Sequence, residues 1–205
     1  MDGVFMKKWL ILLGLLAIFV YMGSIVADKQ QLTDNVLRLH VVANSDSAED
    51  QAIKLKVRDA VLTAAEAVIA GAEDKAQAQT MLAAHLENLE AAANTVLDEL
   101  GCTDRAQVTL TEEAFSTREY DTFTLPAGVY DALRVTIGEG QGRNWWCVVF
   151  PSLCIPAVSE NVEDAAAGAG FSDSLSGAIT GQPKYQVRFY FMDALGRLEN
   201  FLRKG

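Results

Sequence analysis

Histidine is scarce in this 205-residue chain, and neither His40 nor His85 stands at the spacing of a His-x-x-x-His pair. Cys-x-x-Cys is missing as well, so neither half of a usual zinc site is present, and no metal and no cofactor are expected. Cysteine is limited to Cys102, Cys147 and Cys154, an odd number without a regular framework, so the fold does not rest on disulfides. Cys147 and Cys154 are spaced to pair across the bend at Pro151, or the thiols stay free and buried; both readings stand. Basic residues are outnumbered, 17 Lys and Arg against 27 Asp and Glu, for a net charge of -10. A chain so short of positive charge lacks the surface that phosphates require, which excludes DNA and RNA as partners. The same shortage argues against a domain lying peripherally on anionic lipid. A phosphate loop is missing too. Gly138, Gly140 and Gly142 are not followed by a helix whose amides would face a phosphate, but by Asn144-Trp145-Trp146-Cys147, a strand pattern. The glycines read instead as a hairpin turn. Acidic neighbours such as Asp98-Glu99 and Glu112-Glu113 read as solvated rather than as a hydrolytic pair.

What is present begins with a long apolar run. Lys7 and Lys8 precede an uncharged stretch from Trp9 to Ala27, rich in Leu, Ile and Phe. A basic flank before an apolar run is an export signal, with the lysines held on the cytoplasmic side. The run is long for a signal-peptide core and close to the ~20 residues that span a bilayer. Ala27 offers a cleavage point, although Ile25 is bulky for a small-x-small site. Residues 1–27 are therefore a signal peptide or a membrane anchor, and residues 28–205 form a single exported domain.

Leu37 to Ala60 passes from the period of a strand to that of a helix. Leu37, Leu39 and Val41 alternate with Arg38 and His40, which places the latter two on the opposite face. Asn44, Ser45, Asp46 and Ser47 follow as turn and N-cap residues, either a capped turn or a site. A helix is predicted from Ser47 to Ile69, with Ser47 and Asp50 as a weak capping box and Asp50 paired to Lys54. A second helix is predicted from Asp74 to Leu100, with His85 on its surface, ending at Gly101. Strands are expected at Val108–Thr111, Thr122–Leu125, Val129–Ile137, Asn144–Phe150 and Tyr185–Phe191, with a short terminal helix after the last. The Ala-, Gly- and Ser-rich stretch at about 156–183 reads as a mobile insert. The fold class is α+β: an N-terminal apolar helix, then an antiparallel helix pair on a mainly antiparallel sheet.

Two constellations bear on chemistry. Trp145 and Trp146 are adjacent in a strand and point to opposite faces; an exposed one is a candidate hot spot, a covered one is core. A cysteine nucleophile would need an imidazole beside it, and Cys147 or Cys154 with His40 and Asp46 or Asn44 supplies the residue types. Sequence spacing does not bring them together, so no catalytic residue is assigned.

The segments Arg38-Leu39-His40-Val41-Val42-Ala43-Asn44-Ser45-Asp46-Ser47, Glu49-Asp50-Gln51 and Leu55 to Val61 are similar to the first signature of the stage II sporulation protein R family. Leu125-Pro126-Ala127-Gly128, Ala132 to Val135, Gly138-Glu139-Gly140, Asn144 to Val148 and Leu153-Cys154 resemble its second. Ile155 to Gln182 does not fit, and Ser152 stands where the family usually has a second proline. The resemblance implies a non-enzymatic sporulation signal, made in the forespore and exported into the space between two membranes. There it would activate a membrane-embedded aspartic protease that processes a mother-cell sigma-factor precursor. Arg38, His40, Asn44, Ser45, Asp46, Gly140, Asn144 and Trp145 are the expected receptor-facing residues. The rival reading is an exported hydrolase of peptide or peptidoglycan using Cys147 and His40. The sequence gives no oligomeric state.

Overall fold

A computed structural model describes residues 3–120, 122–151 and 171–204. The chain starts with a single unbroken helix, α1 (Gly3–Asn35). Strand β1 (Leu37–Val42), then α2 (Ala48–Ile69), α3 (Lys75–Ala83) and α4 (Leu86–Glu99) follow. Next come β2 (Ala106–Phe115), the two-residue strands β3 (Arg118–Glu119) and β4 (Thr124–Leu125), β5 (Gly128–Ile137) and β6 (Asn144–Phe150). Helix α5 (Asp173–Ile179), a 3-10 turn at Pro183–Tyr185 and α6 (Gln186–Lys204) close the described chain.

The main sheet has the order β2-β5-β1-β6. β1 runs parallel to β5, pairing Leu39 with Leu133, and antiparallel to β6, pairing Leu39 with Cys147. β2 is antiparallel to β5. The sheet is therefore mostly antiparallel, as the α+β reading expected, with one parallel pair at its centre. The glycine connector does not close a hairpin, because β1 lies between the two strands it joins. Residues 138–143 instead cross the end of β1.

Each face of the sheet carries its own core. Leu37, Leu39, Val41, Val108, Leu133, Val135, Ile137, Cys147 and Val149 pack against Val57 and Val61 of α2 and Leu89, Ala93 and Leu97 of α4. The opposite face contributes Phe115, Tyr130, Ala132 and Val148 to a second core. It is closed by Ile25 and Leu32 of α1, Phe123 and Leu125, Leu175, Ala178 and Ile179 around α5, and Met192 of α6. Every fully buried side chain of this size is worth ~1.5–3 kcal/mol in removed apolar surface.

Ser47 caps α2 by accepting from the Asp50 amide at 3.0 Å. Asp50 does not pair with Lys54. Its carboxylate takes the Ser45 hydroxyl at 2.5 Å, and Lys54 donates to Gln51 Oε1 and to the Arg143 carbonyl. The predicted long helix over 74–100 is two helices. His85 Nδ1 takes the Met81 carbonyl at 2.8 Å, the acceptor its own amide would use in a continuous helix, and that amide turns to Leu82 instead. Tyr185–Phe191 is not a strand. Its short apolar alternation gives way, over the longer window to Leu202, to a helical period, and α6 forms. Of the stretch read as an insert, the part up to residue 170 lies outside the described residues; Phe171, Leu175, Ala178 and Ile179 are core.

Candidate functional site

The polar turn and the glycine connector form one knot at the end of β1. Gly142 N donates to the Ala43 carbonyl at 2.9 Å and Gln141 N to that of Asn44 at 3.1 Å. The Asn44 side-chain oxygen accepts from Glu139 N, and the Asp46 carboxylate from Arg143 N at 2.7 Å. Gly142 sits so close that a Cβ there would lie 2.2 Å from the Ser45 carbonyl oxygen, and Gly140 has φ +62. Asn44, Ser45, Asp46 and Gly140 thus hold the crossing connection together. Asp46 and Arg143 are exposed at its rim.

Arg38 and His40 point from β1 into the second face, as the alternation required. His40 Nδ1 meets Glu113 Oε2 at 2.5 Å, and Nε2 meets Asn144 Oδ1 at 2.9 Å. Both ring nitrogens thus face side-chain oxygens, as Asn144 is placed. Arg134 donates to the other Glu113 oxygen at 3.1 Å. Burial pushes the Glu113 carboxyl up, but the bonds and charges of His40 and Arg134 outweigh it and hold the group below its ordinary range. The His40 ring also stacks on Trp146, centroids 5.6 Å apart.

Arg38 is fully buried. Its guanidinium lies over the Phe115 ring at 4.0 Å and donates to the Tyr120 hydroxyl at 2.8 Å; among the described residues Nε and Nη1 have no hydrogen-bond acceptor. A second guanidinium, Arg118, stacks on Trp146 at 3.5 Å. Phe115 and Trp146 in turn floor an open cleft of about 700 Å³, walled by Arg197, Asn200 and Phe201 of α6.

Arg38, His40 and Asn144 therefore lie on one face, and Asn44, Ser45, Asp46 and Gly140 at the sheet's end. Trp145 is on the other face, 38% exposed, with Arg58 of α2 over its ring at 4.3 Å. Glu113, expected to be solvated, is instead largely buried against His40, and Tyr120 and Arg134 carried no local sign of a place here; Trp146, weighed only as core or hot spot, shares the face of His40 by simple alternation. The pairing of Cys147 with His40 is overturned. Cys147 sits beside Leu39 in the first core and is disulfide-bonded, while His40 faces the opposite side. Cys102 is a free thiol, and Cys154 lies outside the described residues. Among the described residues no cluster of His, Cys, Asp and Glu is arranged to hold a metal.

The family model described as stage II sporulation protein R matches residues 33–160, more than half of the chain. A protein named stage II sporulation protein R from Bacillus subtilis (strain 168) is 34% identical over 123 residues, covering 60% of this chain and 55% of that protein. The chain thus spans about half the length of that relative. No solved structure matches.

Proposed function

Because the chain belongs to the stage II sporulation protein R family, we propose that it is an exported, non-enzymatic sporulation signal. It is made in the forespore and activates a membrane-embedded aspartic protease, which then processes a mother-cell sigma-factor precursor. The observation that carries this reading is the family match over residues 33–160, which contains β1, the polar turn and the glycine connector. Receptor contact is assigned to the exposed rim of that knot, Asp46 with Arg143, and to Asn144 and Trp145. Arg38, His40, Asn44, Ser45 and Gly140 act from behind it, by fixing its shape.

The exported protein keeps α1. In support, α1 is long and apolar enough to cross a membrane and runs through Ala27 without a break. Beyond the span it becomes part of the domain. Ile25 and Leu32 are fully buried, and Asp28 pairs with Arg188 at 2.5 Å with both side chains nearly covered. Arg188 also donates to Ser24 Oγ at 2.8 Å. A cut after Ala27 would remove Ser24 and Ile25 from these contacts.

The test is co-production of the full chain with the candidate protease and the sigma-factor precursor. Processing that occurs only when this chain is present supports the activator reading. Processing without it sinks that reading. The mass of the exported chain, with or without residues 1–27, decides retention.

A further inference from the structure

The outer face of α6 is apolar and uncovered. Val187, Tyr190, Phe191, Ala194, Leu198, Phe201 and Leu202 recur at steps of three and four, and the six large side chains are 43–74% exposed. Its inner face is spent: Met192 is core, Asn200 donates to the Phe115 carbonyl, and a Cβ on Gly196 would lie 1.6 Å from the Ala127 carbonyl oxygen. The stripe is thus additional to what the fold needs.

We propose that this stripe lies in the surface of the bilayer that α1 crosses, so that α6 is a second, interfacial membrane contact. The proposal rests on the retention of α1 given above. The stripe begins where the span ends. Arg188, next to Val187, bonds Ser24 and Asp28 and lies 5.8 Å from the Tyr21 ring, while exposed apolar side chains of α1 continue as far as Val26. No linker separates span from domain, so Val187, Tyr190 and Phe191 are held at the depth of the headgroups. Composition agrees. Residues 184–204 carry five Lys and Arg against two Asp and Glu, the reverse of the whole chain, and basic residues flanking an apolar stripe are the pattern of an interfacial helix. The acidic excess that argued against a lipid surface is located elsewhere in the chain. Glu199 pairs with Lys29 of α1, which fixes the far half of α6 to the same helix.

The full chain, with Cys102→Ser, is reconstituted in vesicles of phosphatidylcholine and phosphatidylglycerol. Nitroxides are placed singly at Leu16→Cys, Tyr190→Cys, Leu198→Cys and, on the exposed side of α4, Thr95→Cys. Relaxation by oxygen and by a water-soluble nickel complex is compared. The oxygen-to-nickel ratio is expected to be several-fold higher at 190 and 198 than at 95, and highest at 16. If 16 is lipid-exposed while 190 and 198 behave like 95, the proposal is overturned and the stripe is left for a protein partner. Spin–spin broadening at 198 that disappears on dilution with unlabelled chain overturns it in favour of a second copy. If 16 also fails, the anchor reading falls and takes the proposal with it.

Discussion

Ile25→Ala, in the full chain, separates a docked α1 from a tethered one. Ile25 is fully buried among Leu32, Leu175 and Met192, whereas its neighbour Val26 is 49% exposed. Truncating a buried isoleucine costs about 2–5 kcal/mol, of which part is lost transfer energy and part the cavity left behind. Val26→Ala, on the exposed side of the same turn, falls within about 0.5 kcal/mol of zero. Against a total stability of about 5–15 kcal/mol, the first change is a large fraction and the second is none. Urea unfolding in detergent micelles, followed by near-ultraviolet circular dichroism of the packed aromatic rings, reads the difference. With a slope of about 1–3 kcal/mol per molar, Ile25→Ala lowers the midpoint by roughly 1–2 M at unchanged slope. Equal midpoints for the two variants would refute the docking of α1. They would also remove the main support for retention of residues 1–27.

Gly142→Ala forces a Cβ against the Ser45 carbonyl and strains the adjacent hydrogen bonds to Ala43 and Asn44, for a loss of about 3 kcal/mol. Gly71→Ala, at φ +91 in open space, loses only about 1 kcal/mol; thermal melts showing equal losses would contradict the crossing. Arg38→Met replaces a buried cation that makes one hydrogen bond among the described residues, and exchanges of this kind are often neutral or stabilising by about 1–4 kcal/mol. A strongly destabilised Arg38→Met in chemical unfolding would show that the ring stacking carries the charge; a stable variant that fails to activate the protease would place Arg38 in recognition. Glu113 has a folded pKa below its unfolded one, so its stabilisation is present above the ordinary glutamate range, near ~4.3, and is lost as pH falls through the depressed value. Glu113→Gln should therefore be less stable than the parent at neutral pH and converge with it in acid; a gap independent of pH would rule out the His40–Glu113–Arg134 charge set.

The parts of the fold legible in the sequence were those whose causes are local. Leu37, Leu39 and Val41 declared the strand by period, and Ser47 declared the start of α2 through its own side chain. The crossing of the glycine connector was not legible. Two strands joined by glycines pair locally by default, and only the pairing of β1 with both β5 and β6 shows that it lies between them. Residues 185–191 read as a strand because seven residues do not separate a period of two from one of 3.6; the extension to Leu202 does. Within the site, Arg38 and His40 were placed on the correct face, but Glu113 is 73 residues from His40 and nothing local marks it as the partner. Cys147 was set beside His40 by residue type alone, and alternation through Leu39 and His40 separates them.

The two cores differ in where their residues come from. The first is built from elements between Leu37 and Val149, inside the family match. The second is not: Phe115, Tyr130, Ala132 and Val148 lie within the match, but Ile25, Leu32, Leu175 and Met192, which cover them, lie outside it. A chain reduced to the matched stretch would present Tyr130 and Val148 to water, so the closing helices are part of the folding unit. α1 is at once a closing helix and the only described helix long and apolar enough to cross a membrane. If α1 is kept, as proposed, folding of the domain and attachment to the bilayer draw on the same helix, with Ile25 to Leu32 in the second core. On the proposed reading, in which α1 is kept, the domain gains no reach from a flexible tether and meets its receptor at a fixed height above the membrane. The crossing of residues 138–143 over β1 fixes Asp46 and Arg143, the proposed contact residues, in place, so on that reading the close packing at Gly142 bears on recognition as well as on stability.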